Sequence, residues 1–343
     1  MDNMKNIPLT VSLADVEERE AEWLIPGYIP KGQINIIAGD GGAGKTTVWC
    51  NIAAAVSRGD TAFFDESFGG FAAGKPQQVL VLSAEDSLEY TLRAKLRKAG
   101  AKLGNIHSVS MKDERFGQLK FDSQLLRQLV EQLCPTLIVF DPLQAFIPST
   151  VQMGQRNAMR SCLSPLITLG ELYGTTSLII VHTNKRQGTY GRNRIADSAD
   201  VWDIARSVMI VGQTQDPEIR YLSQEKSNYG PLERTALFRI VDGMIQPEGY
   251  TDLRDVDYVR ERDYAGYQAP QRQEAERFIV DYLRGGRQKV ADLDSAATAA
   301  GISTGTLKRA KTRLRNDKQL GIENQGYGKD KVYYAYLVEQ GPA

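Results

Sequence analysis

Apolar residues fall in short dense runs, each followed by a stretch with helical spacing. The runs around Ile34, Ile36 and Ile37, over 78–86, over 136–142 and over 177–185 read as strands buried on both faces. Helices are predicted between them. The first follows Lys45 to about Arg58 with Gly59 as its stop; the others span 87–99 (stopped by Gly100), 122–133 and 157–173. A short strand is expected near 106–110, and strands over 207–212, 219–225 and 235–241 are spaced like a meander. Upstream, 11–24 reads as a short acidic helix with Leu13, Val16 and Trp23 available for packing, ended by Pro26, Gly27 and Pro30. Residues 60–77 form a Gly/Phe-rich connection longer than most. Alternating strands and helices give an α/β fold with a mostly parallel central sheet, which binds ligands beyond its strand C-termini.

The pattern changes after residue 246. Residues 247–270 have no sustained periodicity and read as a linker. Ala275, Phe278, Ile279, Tyr282 and Leu283 then form one helical stripe. Two further helical segments follow, broken apart by Gly301, with Ser303 as N-cap of the second. QLGIENQ and KVYYAYL, around GYGKD, read as a two-stranded wing. The expected layout is a main domain over 1–246, a linker over 247–269 and a small winged helix-turn-helix domain over 270–343. On its second helix Leu307, Ala310 and Leu314 face inward, so Lys308, Arg309, Thr312 and Arg313 point largely away. That is the layout of a helix reading a DNA major groove; such domains also dock proteins.

Length, at 343 residues, agrees with two domains. Lys plus Arg equals Asp plus Glu, 42 of each, so no global field draws the chain to a polyanion. The polarity separates by region: 268–343 has a net charge of +4 and the rest −4. Cys50, Cys134 and Cys162 match no metal spacing and sit in apolar surroundings, which predicts buried thiols in a reducing cytoplasm. No signal pattern opens the sequence and no apolar run approaches ~18 residues, so no membrane span is expected.

The candidate chemistry centres on GDGGAGKTT. Gly39-x-x-x-x-Gly44-Lys45-Thr46 is a full phosphate-loop (Walker A) pattern lying between a strand and a helix. The backbone of Gly39, Asp40, Gly41, Gly42, Ala43 and Gly44, with Lys45, Thr46 and Thr47, would cradle the phosphates of ATP. Lys45 would reach the β- and γ-phosphates and the Thr46 hydroxyl would hold Mg²⁺. The strand over 136–142 ends in Asp141, a Walker B pattern that would orient the Mg²⁺ water shell. Glu85 ends the strand after the phosphate-loop helix, and His182 ends the fourth strand.

The position of the glutamate discriminates among phosphate-loop classes. Asp141 is followed by Pro142, not by the Glu of AAA+ proteins, and Asp40 stands where partition-type ATPases need a lysine. In order, GDGGAGKTT, SAED, IVFDPL and IIVHTNK resemble the RecA-like family. Within it, residues 20–245 look like the RepA-type hexameric helicase ATPases of plasmids and phages. The resemblance implies that Glu85 polarises the attacking water, Asp141 serves Mg²⁺, and His182 senses the γ-phosphate. It also implies a cation supplied by the neighbouring subunit. Arg206, entering an apolar strand, is one candidate; Lys226 in EKSNYGP is the other, although Asn228 stands where DnaB-like helicases have an arginine.

In RecA-like rings the loop after the sensor strand faces the central channel. Here it spans 184–200 and carries Lys185, Arg186, Arg192 and Arg194 among glycines, suited to tracking single-stranded DNA. The resemblance therefore implies an ATP-driven hexameric DNA helicase or translocase in replication of a plasmid, phage or other mobile element. Duplex DNA or a replication protein would meet the winged helix. Two alternatives stay open: a recombination ATPase that binds single strands without unwinding, and an ATP-gated DNA-binding regulator.

Overall fold

A computed structural model of the chain describes residues 10–65, 74–151, 156–184, 189–195, 199–326 and 331–338. It divides into two compact units, Met1–Tyr258 and Val259–Ala343. In the first, β1 (Trp23–Ile25) and β2 (Ile29–Pro30) pair as a small antiparallel ribbon. Then come β3 (Ile34–Gly39), α1 (Lys45–Arg58), β4 (Val79–Ser83), α2 (Arg93–Lys98), β5 (Ile106–Ser108), α3 (Gln124–Leu133) and β6 (Leu137–Asp141). The order continues with α4 (Arg156–Tyr173), β7 (Thr176–His182), α5 (Ala199–Ile204), β8 (Ser207–Gln213), β9 (Arg220–Ser227), β10 (Thr235–Val241) and β11 (Met244–Thr251). Helix α6 (Asp255–Leu283) begins in the first unit and runs into the second.

Among the described residues, a nine-stranded sheet has the order β11-β10-β9-β8-β3-β7-β6-β4-β5. Every pair from β8 to β5 is parallel; β8 to β11 pair antiparallel as a meander. Alternation along each strand splits the core between two faces. Ile37, Val79 and Val81 pack with Val48, Ile52 and Leu96 from α1 and α2. Ile36, Leu80 and Leu82 pack with Val130, Leu163 and Val201 from α3, α4 and α5. Both faces are covered, which is why the strands read as near-continuous apolar runs.

Three expectations need correction. Over 11–24 the helical part is a single 3₁₀ turn, Leu13–Asp15, capped by Ser12; Leu13 is 87% exposed, and Trp23 already belongs to β1. Asp15, Glu17, Glu18, Glu20 and Glu22 repel one another at helical spacing, and no packed apolar stripe offsets this. The stretch 247–269 is not an unstructured linker: it holds the end of β11 and the first half of α6. The period of β11 is broken by Pro247 and Gly249, opposite which the register shifts between Phe238 and Leu237. A bulge and a proline are tolerated there because β11 is an edge strand. Finally, Cys50 and Cys162 are buried, but Cys134 is exposed, in the left-handed residue that ends α3.

The second unit contains the rest of α6, β12 (Gln288–Lys289), α7 (Val290–Ala299), α8 (Thr304–Asn316), β13 (Leu320–Gln325) and β14 (Val332–Leu337). Its three strands form an antiparallel sheet of order β12-β14-β13. Ala275, Ile279, Leu293, Leu307, Ala310 and Leu314 make its core. Ser303 caps α8 through a hydrogen bond from the Thr306 N–H.

The root of α6 is fixed by a buried ion pair together with ring stacking. Asp255, its first residue, is 0% exposed and ion-paired with Arg194, which is 2% exposed. The Tyr221 hydroxyl donates to the same carboxylate at 2.8 Å, and the Asp255 N–H donates to Glu225 at 3.1 Å. Tyr258, one turn on, stacks on Tyr221 at 4.3 Å. Removing one partner of a buried pair strands the other charge, which costs about 3–5 kcal/mol. Asp255→Ala should therefore lower the urea-unfolding free energy by that amount, and the double variant Arg194→Met/Asp255→Leu by clearly less. A loss under about 1 kcal/mol in the single variant would contradict a structural role for the pair.

Candidate functional site

Strand register assembles the site. Gly39 of β3 is level with His182 of β7, and Ser83 of β4 is level with Asp141 of β6. These ends lie on one edge of the sheet, and Lys45, Glu85, Asp141 and His182 converge there. The phosphate loop wraps between β3 and α1. Gly44 has φ +104°, a backbone state that only glycine adopts cheaply, and a Cβ on Gly39 would stand 2.5 Å from the Val211 carbonyl. Gly42 is also left-handed, and Thr46 and Thr47 lie in the first turn of α1.

Lys45 is buried, and its Nζ donates to the carbonyls of Gly39 and Asp40, both at 2.9 Å. It lies 3.4 Å from His182 Nδ1. An ammonium has donors only, so this contact casts Nδ1 as the acceptor and leaves Nε2 as the outer ring nitrogen. That nitrogen is 3.7 Å from Glu85 Oε1. His182 thus stands between the phosphate-loop lysine and the glutamate. Burial pulls the Lys45 ammonium below its ordinary pKa, opposed by the charges of Asp141, Glu85 and Asp40. A phosphate at the loop would supply the missing negative charge. Asp86, next to Glu85, is held by Lys95 at 2.8 Å, which leaves Glu85 as the strand-end carboxylate facing His182.

Asp141 is almost wholly buried, and its Oδ2 accepts a 2.8 Å hydrogen bond from Trp49 Nε1. Sequence reasoning missed Trp49. The signal was its position four residues after Lys45, on the same helix face. It missed Thr183 as well, whose hydroxyl donates to Asp40 and ties the end of β7 to the phosphate loop. Among the described residues no cluster of three or more His, Cys, Asp or Glu could hold a metal ion. The donor set fits Mg²⁺ bound through the Thr46 hydroxyl, nucleotide oxygens and water, with Asp141 orienting that water.

The remaining cations diverge from expectation. Lys185 and Arg186 lie outside the described residues. Arg192 is exposed and paired with Asp203. Arg194 is corrected: it is buried against Asp255, with Nη2 3.5 Å from Asp40 Oδ2, and is not a surface cation. Lys226 is corrected too. Its ammonium donates to the carbonyls of Trp202, Asp203 and Ala205 at 3.0, 3.1 and 2.7 Å, capping the end of α5. All three of its donors are used within the chain. Arg206 has no side-chain hydrogen bond or ion pair among the described residues. It precedes Ser207, which is level with Asn35, so it lies at the far end of β3 from Gly39. That separation is roughly 16 Å, at ~3.3 Å per strand residue. In the second unit Lys308, Arg309, Thr312 and Arg313 are all exposed on α8.

This fold and edge define a RecA-like P-loop ATPase. A family model described as AAA domain matches residues 3–188, more than half of the chain, and the chain belongs to that family. It is similar to the DNA repair protein RadA of Bacillus subtilis (strain 168), 20% identical over 236 residues, covering 68% of this chain and 43% of that protein. The RadA of Halalkalibacterium halodurans is likewise 20% identical over 234 residues, covering 68% and 44%. The chain therefore spans less than half the length of these curated relatives. A KaiC-like protein from Pyrococcus horikoshii OT3 aligns with a TM-score of 0.43 and 16% identity, over 68% of this chain and 99% of its own. Among the described residues no helix is long and apolar enough to cross a membrane.

Burial pushes the Asp141 carboxyl from the ordinary 3.8 up to about 6; the Trp49 hydrogen bond opposes this, and the Glu85 and Asp86 charges add to it. An acid with a raised folded pKa costs stability as it ionises, so the cost is absent below about pH 4 and complete above about 6. The shift corresponds to about 3 kcal/mol. Without nucleotide or Mg²⁺, Asp141→Asn should gain stability relative to the parent as pH rises through that window, by up to that amount in urea denaturation. A difference independent of pH would show that Asp141 is not held in this state.

Proposed function

We propose that this chain is an ATP-driven motor on DNA: a hexameric helicase or translocase serving replication of a plasmid, phage or other mobile element. The observation that carries the reading is the position of Arg206. It has no partner within the described chain and lies at the sheet end remote from its own phosphate loop. A cation there is too far from its own phosphate loop to act on it, which supports a role at a neighbouring subunit's site. Hydrolysis in ring ATPases gains several orders of magnitude from such a residue. Lys45, Thr46 and Asp141 hold ATP and Mg²⁺, Glu85 polarises the attacking water, and His182 follows the γ-phosphate.

DNA contact is proposed at two surfaces. One is the loop after β7, now through Lys185, Arg186 and Arg192, since Arg194 is committed internally. The other is the C-terminal unit. Two short helices followed by a strand pair, with Lys308, Arg309, Thr312 and Arg313 exposed on α8, support a winged helix-turn-helix. The likeness to DNA repair proteins favours a second reading: an ATPase that binds single strands in recombination or repair without unwinding them. Strand displacement on a forked duplex separates the two, since only the motor releases the displaced strand.

Assembly is tested by mixing subunits. Arg206→Ala and Lys45→Ala chains should each hydrolyse ATP poorly alone. Mixed, they form sites that pair an intact phosphate loop with an intact neighbouring arginine, and part of the activity should return. Activity in the mixture no higher than in the separate variants would put Arg206 to work inside its own chain and remove the argument for a ring.

A further inference from the structure

Among the described residues, the cations around the phosphate loop have internal partners with one exception. Lys45 is held by two carbonyls, Lys95 by Asp86, Lys98 by the Asp242 carbonyl at 2.7 Å, and Arg194 by Asp255. Arg220 has none. It opens β9 opposite Gln213, beyond the C-terminal end of β3, and so stands on the same edge as Lys45 and Asp141. Its Cδ and Nε lie 3.4 and 3.6 Å from where a Cβ on Gly44 would stand. Nε is buried and without a hydrogen-bond partner, and no other hydrogen bond or ion pair of the side chain occurs among the described residues. The carboxylates of the adjoining turn do not compensate: Asp216 and Glu218 are both engaged by Arg239.

A guanidinium whose buried donor lacks an acceptor calls for an explanation, because buried polar groups are nearly always paired. Placed against the glycine of a phosphate loop, its natural acceptor is a phosphate oxygen, which matches the planar fork of donors. We propose that Arg220 binds the α- and β-phosphates of the nucleotide held by its own chain's phosphate loop. The proposal rests on the reading of 39–47 as a nucleotide site. The assignment to these phosphates follows from position. Gly44 lies at the backbone cradle, which holds the α/β end, whereas Lys45, Glu85 and His182 face the γ end. Arg220 would therefore grip ATP and ADP alike. It acts within one chain and on binding, in contrast to an arginine supplied by a neighbour during hydrolysis.

The test is equilibrium binding of fluorescent ADP and of ATP, with Mg²⁺, to the full chain. Arg220→Ala should weaken both by a similar factor, on the order of tenfold or more, the scale of a lost hydrogen bond to a charged group. Arg220→Lys should recover part of the loss. Because the side chain lacks a protein partner, Arg220→Met should unfold no earlier than the parent in urea without nucleotide, yet show a smaller shift when ADP is added. Lys45→Ala serves as the control for the site: if it binds ADP like the parent, the nucleotide-site reading itself is wrong. If Lys45→Ala loses binding while Arg220→Ala binds both nucleotides like the parent, the site stands and the role given to Arg220 falls. Arg220→Met less stable than the parent without nucleotide would assign Arg220 to packing instead.

Discussion

The register of four parallel strands is the constraint on which the site depends. Lys45, Glu85, Asp141 and His182 are far apart in sequence and share no helix or loop. They meet because Gly39 is level with His182 and Ser83 with Asp141, while Phe140 is level with Ile179, so that β4 and β6 end within two residues of β3 and β7 on the same edge of the sheet. A slip of one residue would turn each strand's side chains to the opposite face and scatter the ends. That slip is prevented by the two cores, which bury alternate residues of the same strands against α1 and α2 on one side and α3, α4 and α5 on the other. Packing of apolar side chains thus sets the geometry of charged ones.

That edge concentrates charge in a dry environment. Asp141 is buried and kept in place by Trp49, and Lys45 is buried with its ammonium turned back onto the loop carbonyls. Each is shifted toward its neutral form. Phosphates and a divalent cation would relieve both, which makes nucleotide binding and stabilisation of the loop one event. The buried Arg194 extends this edge. It touches Asp40 of the phosphate loop and pairs with Asp255 at the start of α6, while Thr183 connects Asp40 to the end of β7. The phosphate loop, the end of β7 and the root of α6 therefore share one set of polar contacts.

Features written in local sequence were legible. The phosphate loop declares itself through glycines whose conformations other residues resist, and α1 ends at Arg58 with Gly59 in the left-handed cap its sequence predicts. Strand-end carboxylates and His182 were legible because they close apolar runs. Features set by distant partners were not. Arg194 sits among glycines and cations and reads as a solvated residue; its partner is 61 positions away. Lys226 resembles a reaching lysine in sequence, yet the end of α5 supplies three carbonyls that take it up. The stretch after 246 hides a strand because Pro247 and Gly249 interrupt its period at a sheet edge. Nothing local marked Arg220, whose interest lies in having no partner among the described residues.

The central claim is that this edge hydrolyses ATP with Glu85 polarising the water. It is tested most directly by measuring ATP binding and ATP turnover on the same Glu85→Gln protein. The account predicts binding close to that of the parent, since Lys45, Thr46 and the loop backbone are untouched, and turnover slower by ~10²-fold or more, the scale of a lost general base. Turnover at the parent's rate with normal binding would contradict it.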